Sequence, residues 1–276
     1  MFGVFLAACS SAFGELTDSI GKRWMQDGEE SYYTFGFLTQ ISSALLIALA
    51  GFWLHNLVFS ADSLFTFIPR ALVGILEIHL GIIAITRVDR GAIGFIRLAT
   101  IPLLLLIDFS LGYILAPFQI AGMFLIVAPI FVLFFLESSN RKGVVLALFV
   151  AVLAAIDISL YKYDITHFNS VESEQAVIAL ILALYFYAVA VFIRKENPLV
   201  YLRQPIYILQ MSSSGLAYMI GSFAYLFGPA SIITTALRGL SVLFAVVSGR
   251  MYFKEKRFFV RTSFFLLIVA GLYLLL

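Results

Sequence analysis

The chain has 276 residues, of which 62% are hydrophobic and only 12% charged, with a net charge of +2; its mean hydropathy is +1.02. A water-soluble domain carries about a quarter of its residues as charges, so this composition excludes a soluble enzyme, a nucleic-acid binder and a disordered chain. Cys9 is the single cysteine and the three histidines are scattered, which leaves no internal disulfide and no metal-ligand spacing.

A helix crosses a bilayer with about 20 apolar residues. Charge clusters and turn residues divide the chain into ten such segments. The first spans 2–21 and closes at Gly21, Lys22 and Arg23. Leu6-Ala7-Ala8-Cys9 looks like a lipoprotein cleavage box. No basic residue precedes it and the apolar run is short, so 1–21 reads as a retained helix. The acidic, polar stretch 24–33 leads to a second helix, 34–55. Residues 60–69 read as a loop and 70–87 as the third helix. The turn Arg87-Val88-Asp89-Arg90 precedes the fourth, 91–109, and the fifth covers 117–137. After the linker 138–142 come helices at 143–161, 174–193, 205–227, 229–249 and 258–276. Loop 194–204 contains Pro198, and loop 250–257 is basic. Barrel strands alternate over about ten residues, and these segments are too long and unbroken for that.

Ten helices divide five plus five about the linker. Asp157 stands 139 positions after Asp18, and Lys162 stands at the same offset from Arg23. Gly91-Ala92 falls on Ala230-Ser231. Two tandem halves with an odd helix count must lie in opposite orientations. The expected fold is therefore an all-α integral membrane protein, with ten transmembrane helices as two inverted five-helix repeats, 1–137 and 143–276. A transporter of that design binds its substrate at the repeat interface near the midplane.

The most specific segment is Gly228-Pro229-Ala230-Ser231, followed by Gly249 and Glu255 ahead of the last helix. With Pro102 and the basic Lys22 closing the first helix, it resembles the drug/metabolite transporter superfamily, in its EamA-like branch. The likeness covers the whole chain. The first half departs from it, carrying Ser110–Pro117 in place of a Gly…Glu turn and Phe13-Gly14-Glu15 in place of a Trp-Gly. The resemblance implies two five-helix repeats; its motifs are structural and name no ligand.

Ionisable residues inside helices cost about 2.5 to 3.5 kcal/mol at the helix centre on insertion scales. They persist where they face a cavity or a partner. Arg97 and Arg238 fall at similar depths in the two halves. They suit a carboxylate or phosphate, since the guanidinium fork matches both; the plainer reading is pairing with a helix acid or snorkelling. Thr234, Arg238, Ser241, Ala245 and Ser248 share one helix face. Glu15, Asp18 and Asp157 are proton-coupling candidates. Against that stands the simpler expectation that Asp18 pairs with Lys22 and Asp157 with Lys162. Glu77 is the stronger cavity candidate of the third helix, with His79 a packing residue. Gln210 and Tyr218 are further substrate-binding candidates.

Lysine and arginine cluster in the odd connections, while the even ones hold little beyond Arg70 and Lys162. The positive-inside rule then puts the odd connections in the cytoplasm and both termini outside. The resemblance implies the reverse. The expected protein is a multi-pass transporter, of the inner (plasma) membrane in a prokaryote. It is read as an exporter of small polar metabolites of amino-acid or organic-anion type, working by alternating access with proton exchange. Arg97 and Arg238 would hold the anionic group, and Glu15 or Glu77 would titrate. Its partners are the bilayer and a small-molecule substrate, as a monomer or homodimer. No cofactor is implied and no nucleotide-binding loop occurs. The rivals are a proton-coupled cationic drug exporter and a non-transporting receptor or scaffold. A membrane enzyme would need a clustered His, Asp or Ser constellation, and none stands out.

Overall fold

Where helices start is set by side chains that satisfy free backbone N–H groups. In the computed structural model Ser31 accepts from the Thr34 N–H at 3.1 Å and Ser170 from the Ser173 N–H at 3.3 Å. Each opens a long apolar helix. The structure describes residues 2–88, 96–110, 141–228, 230–252 and 258–275, with isolated positions at 93, between 117 and 132, and at 254. Among these residues every regular element is helical: α1 Phe2–Gln26, α2 Tyr32–Leu54, α3 Leu64–Arg87, α4 Thr100–Ser110, α5 Arg141–His167, α6 Val171–Ala188, α7 Pro205–Ala224, α8 Ala230–Met251 and α9 Phe258–Leu275. Five of them, α2, α3, α5, α6 and α8, are long and apolar enough to cross a membrane. The chain is a multi-pass membrane protein. The expected fifth helix at 117–137 lies mostly outside the described residues.

Two boundaries differ from expectation for a physical reason. The stretch 60–69 is mostly helix, not loop. Ser60 Oγ accepts from the Asp62 N–H at 3.2 Å, a 3-10 turn over Ala61–Ser63 follows, and α3 begins at Leu64. Pro69 removes one backbone bond without ending the helix, which buries Phe67 and Arg70 on either side of it. Similarly α5 continues to His167 rather than stopping near 161. The polar groups of its last turns are satisfied there, with Thr166 donating to the Lys162 carbonyl and Thr66 to Asp164.

The helices pack in an interleaved order. α1 lies against α7 and α8, α5 against α3 and α4, α2 against α6 and α7, and α3 against α6. Phe35, Leu38, Ile82, Ala183, Phe186 and Tyr207 form an apolar core between α2, α3, α6 and α7. The outward faces are apolar too: Trp53 and Phe65 are 83% and 89% exposed, as expected where lipid replaces water. At one end of the bundle Glu196 accepts from Ser31 and Thr34, and the Tyr201 hydroxyl donates to the Glu29 carbonyl at 3.0 Å. At the other end, the Ser170 N–H donates to the Val58 carbonyl at 2.9 Å. There Asn169 Oδ1 also accepts from the Ser60 N–H at 2.8 Å.

Gly36 lets α2 touch α6. A Cβ there would sit 2.6 Å from the ring of Phe186, whereas at Gly81 the nearest atom would be 3.7 Å away. Overpacking of a filled core costs about 1–3 kcal/mol. Gly36→Ala should therefore lower the thermal midpoint of the detergent-solubilised protein, and Gly81→Ala should leave it unchanged or raise it. Equal midpoints for the two variants would contradict this packing.

Candidate functional site

Polar residues inside an apolar bundle have to face one another or a wet space. Here they do both. Seven helices, α1, α2, α3, α5, α6, α7 and α8, together with Arg97 just ahead of α4 and Thr100 at its start, line a cavity of about 420 Å³. That is the size of a small-molecule site. Glu15, Asp18, Glu77, Arg97, Asp157, Tyr218, Arg238 and Ser241 all line it. Gln210 does not. It is fully buried on α7 and donates through Nε2 to Glu30 Oε1 at 3.1 Å.

The charges fall into two groups. Asp18 is held by Arg97, with Nη1 and Oδ2 3.3 Å apart and both side chains about a quarter exposed to the cavity. Glu15 Oε1 accepts from Ser19 at 3.0 Å and from Ser248 on α8. Asp157 is gripped by Arg70 Nε at 3.3 Å. Asp157 is paired with Arg70 and not with the expected Lys162. Lys22 Nζ donates to the Val88 carbonyl at 3.2 Å, and Lys162 Nζ to the Tyr225 and Gly228 carbonyls at 2.9 and 3.3 Å. A lysine near a helix end finds uncapped carbonyls there, and Asp157 is left to Arg70.

The second group is Arg238 and Glu77. Neither forms an ion pair within 4.0 Å among the described residues. They nevertheless feel each other's field across the cavity, together with that of Arg97. Ser241, one turn from Arg238, spends its hydroxyl on the Leu237 carbonyl at 2.7 Å. His79 is a packing residue: its Nδ1 lies 2.9 Å from the Tyr185 hydroxyl and its ring stacks on Phe186.

Arg70 is the residue that sequence reasoning missed. Read as a loop charge, it is 2% exposed within α3. Its guanidinium ion-pairs with Glu174, donates to Gln175 Oε1 at 2.9 Å and lies 4.6 Å from the centre of the Tyr161 ring. The Tyr218 hydroxyl donates to the same Gln175 oxygen at 2.6 Å. Asn169 donates to Glu174 and to Ser63. One knot thus joins α3, α5, α6 and α7 at the cavity wall. The signal was present: Arg70, Gly74, Glu77 and Gly81 share a face by spacings of four, three and four, but Pro69 suggested that the helix began at Arg70, which made it an end-of-helix charge.

No protein-family model matches the chain, and no curated protein matches it. Geometry alone therefore has to carry the function. A polar-lined cavity in which Arg238 and Glu77 form no ion pair among the described residues suits a small ligand bearing charges of both signs.

Removing one partner of a buried ion pair costs about 3–5 kcal/mol, and an exposed pair about 0–1 kcal/mol. Arg70→Met should accordingly depress thermal stability far more than Arg97→Met. Arg70→Lys should not rescue it, because a single ammonium cannot serve three partners in a plane. Comparable thermal midpoints for the Arg70→Met and Arg97→Met variants would refute the knot.

Proposed function

We propose that the chain is a secondary-active transporter of the drug/metabolite transporter type, EamA-like, with ten helices in two inverted repeats. It exports a small polar metabolite of the amino-acid or organic-anion kind by alternating access. Several correspondences at the offset of 139 support the repeat. Ser31 and Ser170 cap α2 and α6. One position out of that register, Lys22 and Lys162 each donate to carbonyls at the end of a neighbouring helix, α3 in one case and the turn after α7 in the other. The packing exchanges between halves as well: α1 with α7 and α8 mirrors α5 with α3 and α4.

The observation that carries the function is the pair Arg238 and Glu77, both lining the cavity and outside the ion pairs that neutralise Asp18 and Asp157. Arg238 holds the substrate's carboxylate. Glu77 takes its cationic head, or a proton when the substrate is absent. Competition between the two for one carboxylate couples export to proton entry. Glu15, tied to two serines, and the arginine-held aspartates serve to shape the field.

The test is counterflow in proteoliposomes, comparing neutral amino acids, organic anions and lipophilic cations. A hydrogen bond to a charged group is worth about 1.5–3 kcal/mol, so Arg238→Ala should weaken exchange of the anionic or zwitterionic substrate about 10- to 100-fold. Glu77→Gln should abolish its dependence on a proton gradient. Exchange of lipophilic cations that survives Arg238→Ala but is lost in Glu77→Gln would overturn this reading in favour of a cationic drug exporter.

A further inference from the structure

Away from the cavity, at the end of the bundle where α1 turns into α2, two buried oxygens have no hydrogen-bond partner: Glu30 Oε2 and Gln210 Oε1. Glu30 belongs to the connection between Gln26 and Tyr32, yet it is only 3% exposed, and Gln210 on α7 is fully buried. The two side chains already share one bond, from Gln210 Nε2 to Glu30 Oε1 at 3.1 Å. A carboxylate and an amide joined in this way have one acceptor too many. An orphaned buried acceptor is costly, and a single hydrogen would relieve both orphans.

We infer that Glu30 is a proton-binding site whose bound proton, on Oε2, donates to Gln210 Oε1 and clasps the 27–31 connection to α7 through two hydrogen bonds.

The surroundings favour the neutral acid. The charged and titratable groups nearby are Glu29 on the same connection, Glu196 and Tyr201 on the connection before α7, and Tyr207 on α7 itself. All are acidic or neutral. No basic residue figures among the groups acting on Glu30; at this end of the bundle Arg23 pairs with Asp27 and Arg194 lies over the Tyr33 ring. Burial pushes the Glu30 carboxyl from the ordinary 4.5 up to about 8, and the bond from Gln210 offsets only part of this. The position 139 residues on is Asn169, a neutral amide, and it is fully bonded to Ser60, Ser63 and Glu174. The corresponding corner of the other half thus does with an amide what Glu30 does with a proton.

The clasp has a consequence for α7. Gln210 precedes Ser214, Ala217, Tyr218 and Gly221, which form that helix's part of the cavity wall. The Gln210 carbonyl also accepts from Thr17 on α1 at 3.4 Å. Loss of the proton leaves a charged carboxylate facing an amide oxygen and loosens the end of α7 from α1 and the connection. The device does not depend on the transport reading, since it operates on the folded chain alone.

The test uses the full chain in nanodiscs, with thermal unfolding followed against pH for the wild type and Glu30→Gln. A raised pKa stabilises the fold below the ordinary value and loses that stabilisation as pH climbs through the folded value. The wild-type midpoint should fall by several degrees between pH about 4.5 and about 8, relative to Glu30→Gln. The variant keeps both bonds with an amide, so it should match the wild type at the acidic end and exceed it above pH 8. Infrared difference spectra of wild-type protein labelled at glutamate should show a protonated carboxyl band that disappears over the same range and is missing in Glu30→Gln. Parallel midpoint curves, a Glu30→Gln midpoint lower at every pH, or no such band would each overturn the proposal. A saturable rise of the alkaline wild-type midpoint with sodium, lost in Glu30→Gln, would also overturn it, making the two oxygens a cation site instead.

Discussion

A single guanidinium holds the wall on which the cavity depends. Hydrocarbon offers no water to a stray charge, so Arg70 must be answered entirely by protein, and Glu174, Asp157, Gln175 and the Tyr161 face together do so. Those groups come from two helices, α5 and α6, that are distant in sequence from Arg70 on α3. Satisfying the arginine therefore fixes how α3, α5 and α6 meet. Tyr218, bonded to the same glutamine, brings in α7. The same constraint explains why Glu15, Asp18, Glu77, Asp157 and Arg238 converge on one cavity while the outer faces are apolar.

Within that frame the cavity's charges have divided labour. Arg70 and Arg97 neutralise Asp157 and Asp18, which stand 139 positions apart, and serines hold Glu15. Arg238 and Glu77 are what the wall offers to a guest. Among the described residues neither group forms an ion pair, and a charged group is costly to bury without a partner, which is the ground for the proposed binding site.

Much of this was legible from residue types and spacing. Long apolar runs marked the membrane helices, and the rarity of charges inside them singled out Glu15, Asp18, Glu77, Arg97, Asp157 and Arg238 before their convergence was visible. Partners were not legible. Asp18 and Asp157 each have a lysine four or five residues on, and local spacing favoured those pairs. Lys162 instead turns to carbonyls in the turn after α7, a choice made by tertiary contacts. Arg70 was hidden by Pro69, because proline ordinarily opens a helix and here stands within one. Gln210 was placed on the right helix but assigned to the ligand, since its partner Glu30 lies 180 positions away.

The most direct measurement is the solvent access of Ser241. In a chain carrying Cys9→Ser, the Ser241→Cys variant should react with a hydrophilic thiol reagent and be protected by the transported metabolite. The Leu45→Cys variant, on the outward face of α2 where Leu45 is 55% exposed, should stay unreactive in lipid. Reaction at both positions alike, or at Ser241→Cys with no protection by any substrate in the panel, would contradict a water-filled binding cavity walled by Arg238 and Glu77.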